Sequence, residues 1–185
     1  MASRLKLPSL ALLVIALALM SGCIFSPDRK APSAIPKKLI ILAPISPQNV
    51  LSNLVTAYVA RDSVETDSVY YVNYRGESPD LAIPYSRSDE RRHVGRLKLD
   101  PNIVTVLLDL GSPLTWQVLD SYVADPPGSK IITITSQTVR IEDIFQAKTW
   151  LTTNQTMEYV FIPIPVPGAP ADQDTTWKVY RWKEY

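Results

Sequence analysis

Residues 130–144 read KIITITSQTVRIEDI and residues 175–182 read TTWKVYRW. Both are dense in β-branched and aromatic side chains, which fit a half-buried pleated surface and lose rotamer freedom in a helix. Residues 103–110, 114–118 and 156–164 share that character, and turn signals separate all five stretches. The clearest punctuation is Asp125-Pro126-Pro127-Gly128, a turn between two strands, and the proline-rich stretch 163–174, a surface loop. The second half of the chain therefore reads as a run of strands.

Upstream the period changes. Ser46 before Pro47 forms an N-cap with proline at the first helical position, and Val50, Leu51, Leu54, Val55 and Tyr58 recur at helical spacing, so a helix is predicted over 47–60. Residues 64–71 fit either a second short helix or the start of a strand. Ser86 and Asp89 match a capping box, in which a hydroxyl and a carboxylate three residues on satisfy free amides of the first turn. A third helix over 86–97 follows, turning Val94 and Leu97 inward and leaving Arg87, Arg91 and Arg92 solvated, with its end near Asp100-Pro101. Helices first and an antiparallel sheet afterwards imply an α+β fold rather than alternating βαβ units. Residues 39–185 have the length of one domain.

The N-terminus is of a different kind. Arg4 and Lys6 precede an unbroken apolar run of eleven residues from Leu10 to Met20, followed by Ser21-Gly22-Cys23. That is the order of a secretory signal, and it falls short of the roughly 20 residues that span a bilayer. Met20-Ser21-Gly22-Cys23 resembles the lipobox of bacterial lipoproteins, with residues 1–22 as the signal peptide. The resemblance implies diacylation of Cys23 and a membrane anchor through the mature N-terminus; acyl chains contribute about 0.8 kcal/mol per buried methylene. Residues 24–38, IFSPDRKAPSAIPKK, with Pro27, Pro32, Pro36 and four basic side chains, complete a flexible tether over 23–38. Ile24, standing where Asp would direct retention, favours the outer membrane in a two-membrane cell by the sorting rule of that family. The expected localisation is the cell envelope.

Charge and cysteine usage narrow the function further. Over the whole chain 19 basic residues face 18 acidic ones, a net charge of +1. Removing residues 1–22 takes away Arg4 and Lys6 and leaves 17 against 18, a net −1. Without a basic stripe or strong positive charge, a nucleic-acid partner is not expected. Cys23 is the only cysteine, so the lipidated chain has no disulfide, no cysteine-based metal site and no thiol nucleophile. No cofactor motif is present: there is no glycine-rich phosphate loop and no Gly-x-Ser-x-Gly elbow.

Three pieces carry a resemblance: PISPQNVLSNLVTAYVARD (44–62), YSRSDERRHVGRL (85–97) leading to LTW (114–116), and TTWKVYRWKEY (175–185). Together they resemble bacterial lipoproteins of unknown role whose domain is similar to the nuclear-transport-factor-two-like, or cystatin-like, cone. That resemblance implies N-terminal helices packed on a strongly curved antiparallel sheet with a cavity at its open end. Superfamily members include isomerases, dehydratases, binding modules and assembly domains. VETDSVYYVNYRGESPD (64–80) departs from the usual second helix.

The candidate residues follow. Tyr74, Trp116, Tyr159, Trp177, Tyr180 and Trp182, together with Tyr70, are an aromatic population that would line a cavity or an interface for a small apolar ligand or an envelope protein. Trp177 and Val179 alternate with Tyr180 and Trp182, so both faces of the last strand are apolar, and one face is a candidate for a homodimer contact. Asp109 and Glu158 lie in predicted strands; either would serve an isomerase or dehydratase as general base, and the alternative is a solvent face with Arg140 or Lys178 as partner. His93, the sole histidine, falls one turn after Asp89 on an arginine-rich helix face and reads as solvated. No metal ligands are expected, and no catalytic residue is assigned. The reading favours a non-catalytic binding or scaffold domain over an enzyme with a carboxylate in the cone.

Overall fold

The computed structural model describes residues 39–79, 83–145, 147–170 and 174–185, with side chains throughout except over 147–155. The signal segment, Cys23 and the tether lie outside the described residues.

Helix α1 (Pro47–Val59) begins as its sequence dictates: Ser46 Oγ accepts the Asn49 N–H at 3.2 Å, and Pro47 occupies the first turn, where no amide partner is needed. Its stripe of Val50, Leu51, Leu54 and Ala57 is almost fully buried. Arg61 then takes a left-handed φ of 57°, and Asp62 caps α2 (Ser63–Val69) by accepting the Val64 and Glu65 amides at 3.0 and 3.1 Å. Both readings of 64–71 are realised in turn, because α2 ends at Val69 and β1 (Tyr70–Glu77) starts at the next residue. After β2 (Tyr85–Ser86), α3 (Arg87–Leu99) opens with both arms of its capping box formed, Asp89 N to Ser86 Oγ at 3.3 Å and Ser86 N to Asp89 Oδ2 at 3.0 Å. Val94 and Leu97 are buried as expected. Arg87 is not solvated: it is half-buried and makes a two-pronged ion pair with Asp67 that ties α3 to α2.

The strands follow as β3 (Ile103–Asp109), β4 (Val118–Asp120), β5 (Lys130–Asp143), β6 (Ala147–Pro165) and β7 (Thr175–Glu184). They pair in the order β2-β1-β7-β6-β5-β3, with β4 on the other half of β5's free edge. The α+β class and the helices against a curved sheet are present. The sheet is mixed, however, since β1 runs parallel to β7 while every other pairing is antiparallel. Short turns force antiparallel neighbours, but β1 and β7 lie at opposite ends of the domain's sequence and share no turn. Residues 114–118 also differ from expectation. Ser112 caps a 3-10 turn over Pro113–Thr115, and only Val118–Asp120 continues as strand.

Curvature follows from the contents of the concave side. Six strands laid flat span roughly 24 Å at about 4.8 Å per step. Yet Tyr85 of β2 and Leu108 of β3, at the two ends of the order, line one small cavity with α1 and α3. The sheet must therefore roll around the helices. Register shifts between Ile134 and Ser136, and between Val160 and Phe161, supply local bending and twist.

The shift in β7 reassigns faces. Val160 pairs with Arg181 and Phe161 with Val179, which leaves Tyr180 as the extra residue. Strict alternation would separate Val179 from Trp182 as the sequence reading did; the bulge returns Trp182 to the concave side with Trp177 and Val179, where all three pack on the core. Tyr180 is displaced outward beside Tyr71, with ring centroids 6.3 Å apart.

On the convex side Val160 and Ile162 are buried, and residues 121–129 cross this face. Tyr122 Oη and Tyr185 Oη donate to Glu158 at 2.6 and 2.7 Å, and Arg181 pairs with Asp125 at 3.0 Å. Among the described residues no helix is long and apolar enough to cross a membrane.

The segment leading into α1 is held by a side-chain amide. Asn53, 4% exposed, accepts the Leu42 N–H and donates to the Leu42 carbonyl, both at 2.8 Å, as a neighbouring strand would. The Trp177 N–H donates to Pro44 O at 2.7 Å. Asn53→Leu is expected to leave both Leu42 groups unpaired and to lower unfolding free energy by about 1–2 kcal/mol in denaturant titration, with selective loss of amide protection at Leu42. An unchanged midpoint would refute the clasp.

Candidate functional site

Beneath the helices, the concave side of the sheet encloses a cavity of about 200 Å³. Its floor is set by register. Gly76, Trp182, Tyr159 and Ile132 are partners across β1, β7, β6 and β5 and form one lateral row. Tyr74 stands two residues before Gly76 on the same face of β1. A Cβ at residue 76 would fall 2.7 Å from Tyr74 Oη and 3.3 Å from Trp182 Cε3. The glycine thus makes the room into which both rings lean.

Helix α3 supplies the roof. Glu90, Val94 and Leu97 recur at i, i+4 and i+7, so the stripe that buries the two apolar residues also carries Glu90 inward. Glu90 Oε1 accepts the Tyr74 hydroxyl at 3.0 Å. Burial raises the Glu90 pKa above the ordinary carboxylate range, opposed by the Tyr74 hydrogen bond and helped by the Asp89 charge. One residue earlier the outcome reverses: hydrogen bonds from Ser86 hold Asp89 below its ordinary value.

His93 stands at the rim, exposed on its outer side. Its Nε2 is 3.0 Å from Tyr58 Oη, and the two rings are nearly stacked, with centroids 6.0 Å apart. Desolvation of the ring, then the Arg96 charge, lowers its pKa. Burial pushes Tyr58, Tyr70, Tyr74 and Tyr159 upward, so these phenols stay neutral. At neutral pH the cavity therefore offers a neutral imidazole, neutral hydroxyls and one carboxyl group with a raised affinity for its proton.

Of the residues singled out by sequence, Tyr74, Tyr159 and Trp182 meet in this cavity. Trp116 does not line it; its ring is buried in the core and its Nε1 donates to Leu110 O at 2.9 Å. Trp177 faces a separate apolar cavity formed with Ile41, Leu42 and Pro44. Tyr180 lies outside, at the bulge. Neither carboxylate proposed as base reaches the cavity. Asp109 is exposed, with its side chain accepting the Gly111 N–H at 2.8 Å; Glu158 is buried on the convex face under Tyr122 and Tyr185. Their expected partners are also replaced, since Arg140 pairs with Glu142 and Lys178 donates to the Ser68 carbonyl.

Glu90, Tyr58 and Gln137 were not singled out for the site, and His93 was assigned to a solvated face. The spacing of Glu90 from Val94 and Leu97 was the available signal. Among the described residues no group of three or more His, Cys, Asp or Glu side chains is arranged to hold a metal ion.

No family model matches the chain. No curated protein matches it either. Solved structures align with it at low identity. An NTF2-like protein with a cystatin-like fold from Novosphingobium aromaticivorans aligns at 9% identity, covering 97% of this chain and 90% of its own, with a TM-score of 0.44. ActVI-ORFA from Streptomyces coelicolor aligns at 9% identity over 74% of this chain and 90% of its own, TM-score 0.48. A hypothetical protein with a ketosteroid isomerase-like fold from Catenulispora acidiphila, in complex with trimethylamine, aligns at 6% identity over 74% and 83%, TM-score 0.42.

The raised Glu90 pKa fixes the sign of a pH effect. Between the ordinary carboxylate value of about 4.3 and the raised one, the folded state holds a proton that the unfolded state has released, so stability falls as pH rises through that window. Glu90→Gln removes the group while preserving an acceptor for Tyr74. Thermal melts are expected to show the variant gaining on the parent protein from about pH 4 toward neutrality; a pH-independent difference would contradict Glu90's burial.

Proposed function

We propose that the cone binds a small, flat organic ligand and moves a proton on it, with Glu90 as the base. One observation carries this reading: a half-buried carboxyl of raised pKa, held by Tyr74, faces a cavity large enough for a ring compound. An apolar cavity of about 150 Å³ is enough to take up benzene. A carboxylate whose proton affinity is raised by burial is a stronger base than an ordinary one, and is suited to taking a proton from carbon beside a carbonyl and returning it elsewhere, the elementary step of isomerisation and dehydration. The neutral phenols and the Tyr58–His93 pair add hydrogen-bonding groups without competing charge. The enzymatic alternative from sequence thus becomes the favoured one, with its base moved from Asp109 or Glu158 to Glu90.

The substrate need not be known to test this. Indanone exchanges its α-protons for deuterium in D₂O, and NMR follows the loss of that signal. The protein is expected to accelerate exchange over buffer, and Glu90→Gln to remove about a hundredfold or more of the acceleration. Binding without acceleration, or acceleration indifferent to Glu90, would sink the catalytic reading and leave a binding domain.

The same proposal places the cone on the cell envelope. Support comes from the order of Arg4, Lys6, the Leu10–Met20 run and Ser21-Gly22-Cys23. Cys23→Ser is expected to abolish labelling by radioactive fatty acid and to release the protein from membranes; membrane retention without label would overturn the lipid anchor.

A further inference from the structure

The described chain opens on seven apolar residues, LIILAPI (39–45), and leaves five of them at the surface. Ile40 is 76% exposed, Ile41 39%, Leu42 40% and Ile45 47%, and Ala43 is exposed between them. The main chain beneath these side chains is held. Asn53 bonds both Leu42 groups, Asn49 Nδ2 donates to Ala43 O at 2.9 Å, and Pro44 O accepts the Trp177 N–H. The polar contacts of the segment thus fix its backbone, while its aliphatic side chains face solvent. A contiguous exposed patch of this kind marks an interaction surface, for a protein or for a membrane.

The position of the patch in the chain chooses between the two. Residues 24–38 separate it from Cys23, so residue 39 lies within roughly 55 Å of that cysteine even along a fully extended chain. That stretch carries Arg29, Lys30, Lys37 and Lys38 against the single Asp28, and the last two lysines immediately precede Leu39. Cations beside aliphatic side chains are the composition that holds a segment at a lipid surface. Trp177 and Lys178 line the cavity bordered by Ile41, Leu42 and Pro44. An indole and a lysine stem both suit the boundary between headgroups and acyl chains. We propose that residues 39–45 seat the cone on the membrane, with Ile40, Ile41, Leu42 and Ile45 entering the headgroup region of the phospholipid bilayer that holds Cys23. This deepens the proposed envelope location and rests on the lipid anchor. A tethered domain meets the bilayer at high effective concentration, so a patch too small to capture lipid from solution is sufficient to seat it.

The test uses the mature lipidated chain reconstituted in vesicles of phosphatidylethanolamine and phosphatidylglycerol. Acylation of Cys23 consumes the only thiol, so Ile40→Cys provides a single site for an environment-sensitive fluorophore. Val123→Cys is the control, since Val123 is a fully exposed apolar residue on the segment that crosses the convex face. The label at 40 is expected to shift to the blue and to be quenched severalfold more strongly by brominated phospholipid than the label at 123. Equal quenching at the two positions would overturn the seat while the anchor stands. A blue shift at 40 without quenching would assign the patch to a second copy or a partner protein, and would overturn it as well. If the parent chain reacts with a thiol reagent and washes off the vesicles, the anchor and the seat fall together. An unchanged thermal midpoint checks the fold of Ile40→Cys, and Ala43→Cys repeats the measurement at a second exposed position.

Discussion

Helix α1 can bury its stripe only if the sheet wraps around it. Val50, Leu51 and Leu54 share one core cluster with Tyr70 of β1, Leu108 of β3, Ile132 of β5, Phe161 of β6 and Val179 of β7. No flat sheet brings those strands to a single helix of about 10 Å diameter. Once rolled, the sheet outlines more volume than α1 fills, and α3 covers the remainder from the side. The cavity is the space left where α1, α3 and the row from Gly76 to Ile132 fail to close on one another.

That leftover space fixes the chemistry of what faces it. Asp89 and Glu90 are adjacent carboxylates on one helix turn, yet the first is satisfied by Ser86 at the N-cap and the second is carried into the cavity. Their pKa values are driven in opposite directions by a rotation of about 100° around the helix axis. Likewise Glu158 and Tyr159 are neighbours on β6. The pleat sends one to the convex face, beneath Tyr122 and Tyr185, and the other into the cavity.

Local signals were legible in the sequence because their causes are local. Ser46-Pro47, the Ser86–Asp89 box and the β-branched runs each act within a few residues, and the helix starts they announce are those observed. Tyr74, Tyr159 and Trp182 were found because aromatic side chains in strands are bulky enough to mark a covered face. The bulge at Tyr180 was not legible, since it depends on which residues β6 offers as partners. The parallel pairing of β1 with β7 depends on the return of a strand from the far end of the chain. Glu90 was hidden for a different reason: an arginine-rich surround made the whole helix look solvated, although Val94 and Leu97 already marked its inner stripe.

The bulge also separates the count of residues along β7 from the faces they present. With Tyr180 set aside as the extra residue, Val179, Arg181 and Trp182 alternate between the concave and convex sides opposite Phe161, Val160 and Tyr159. Loss of the one codon for Tyr180 would therefore straighten β7 and still leave the Trp182 indole in the cavity wall and Arg181 beside Asp125. For this fold, a strand can carry one residue more than its partner without changing which side chains wall the cavity.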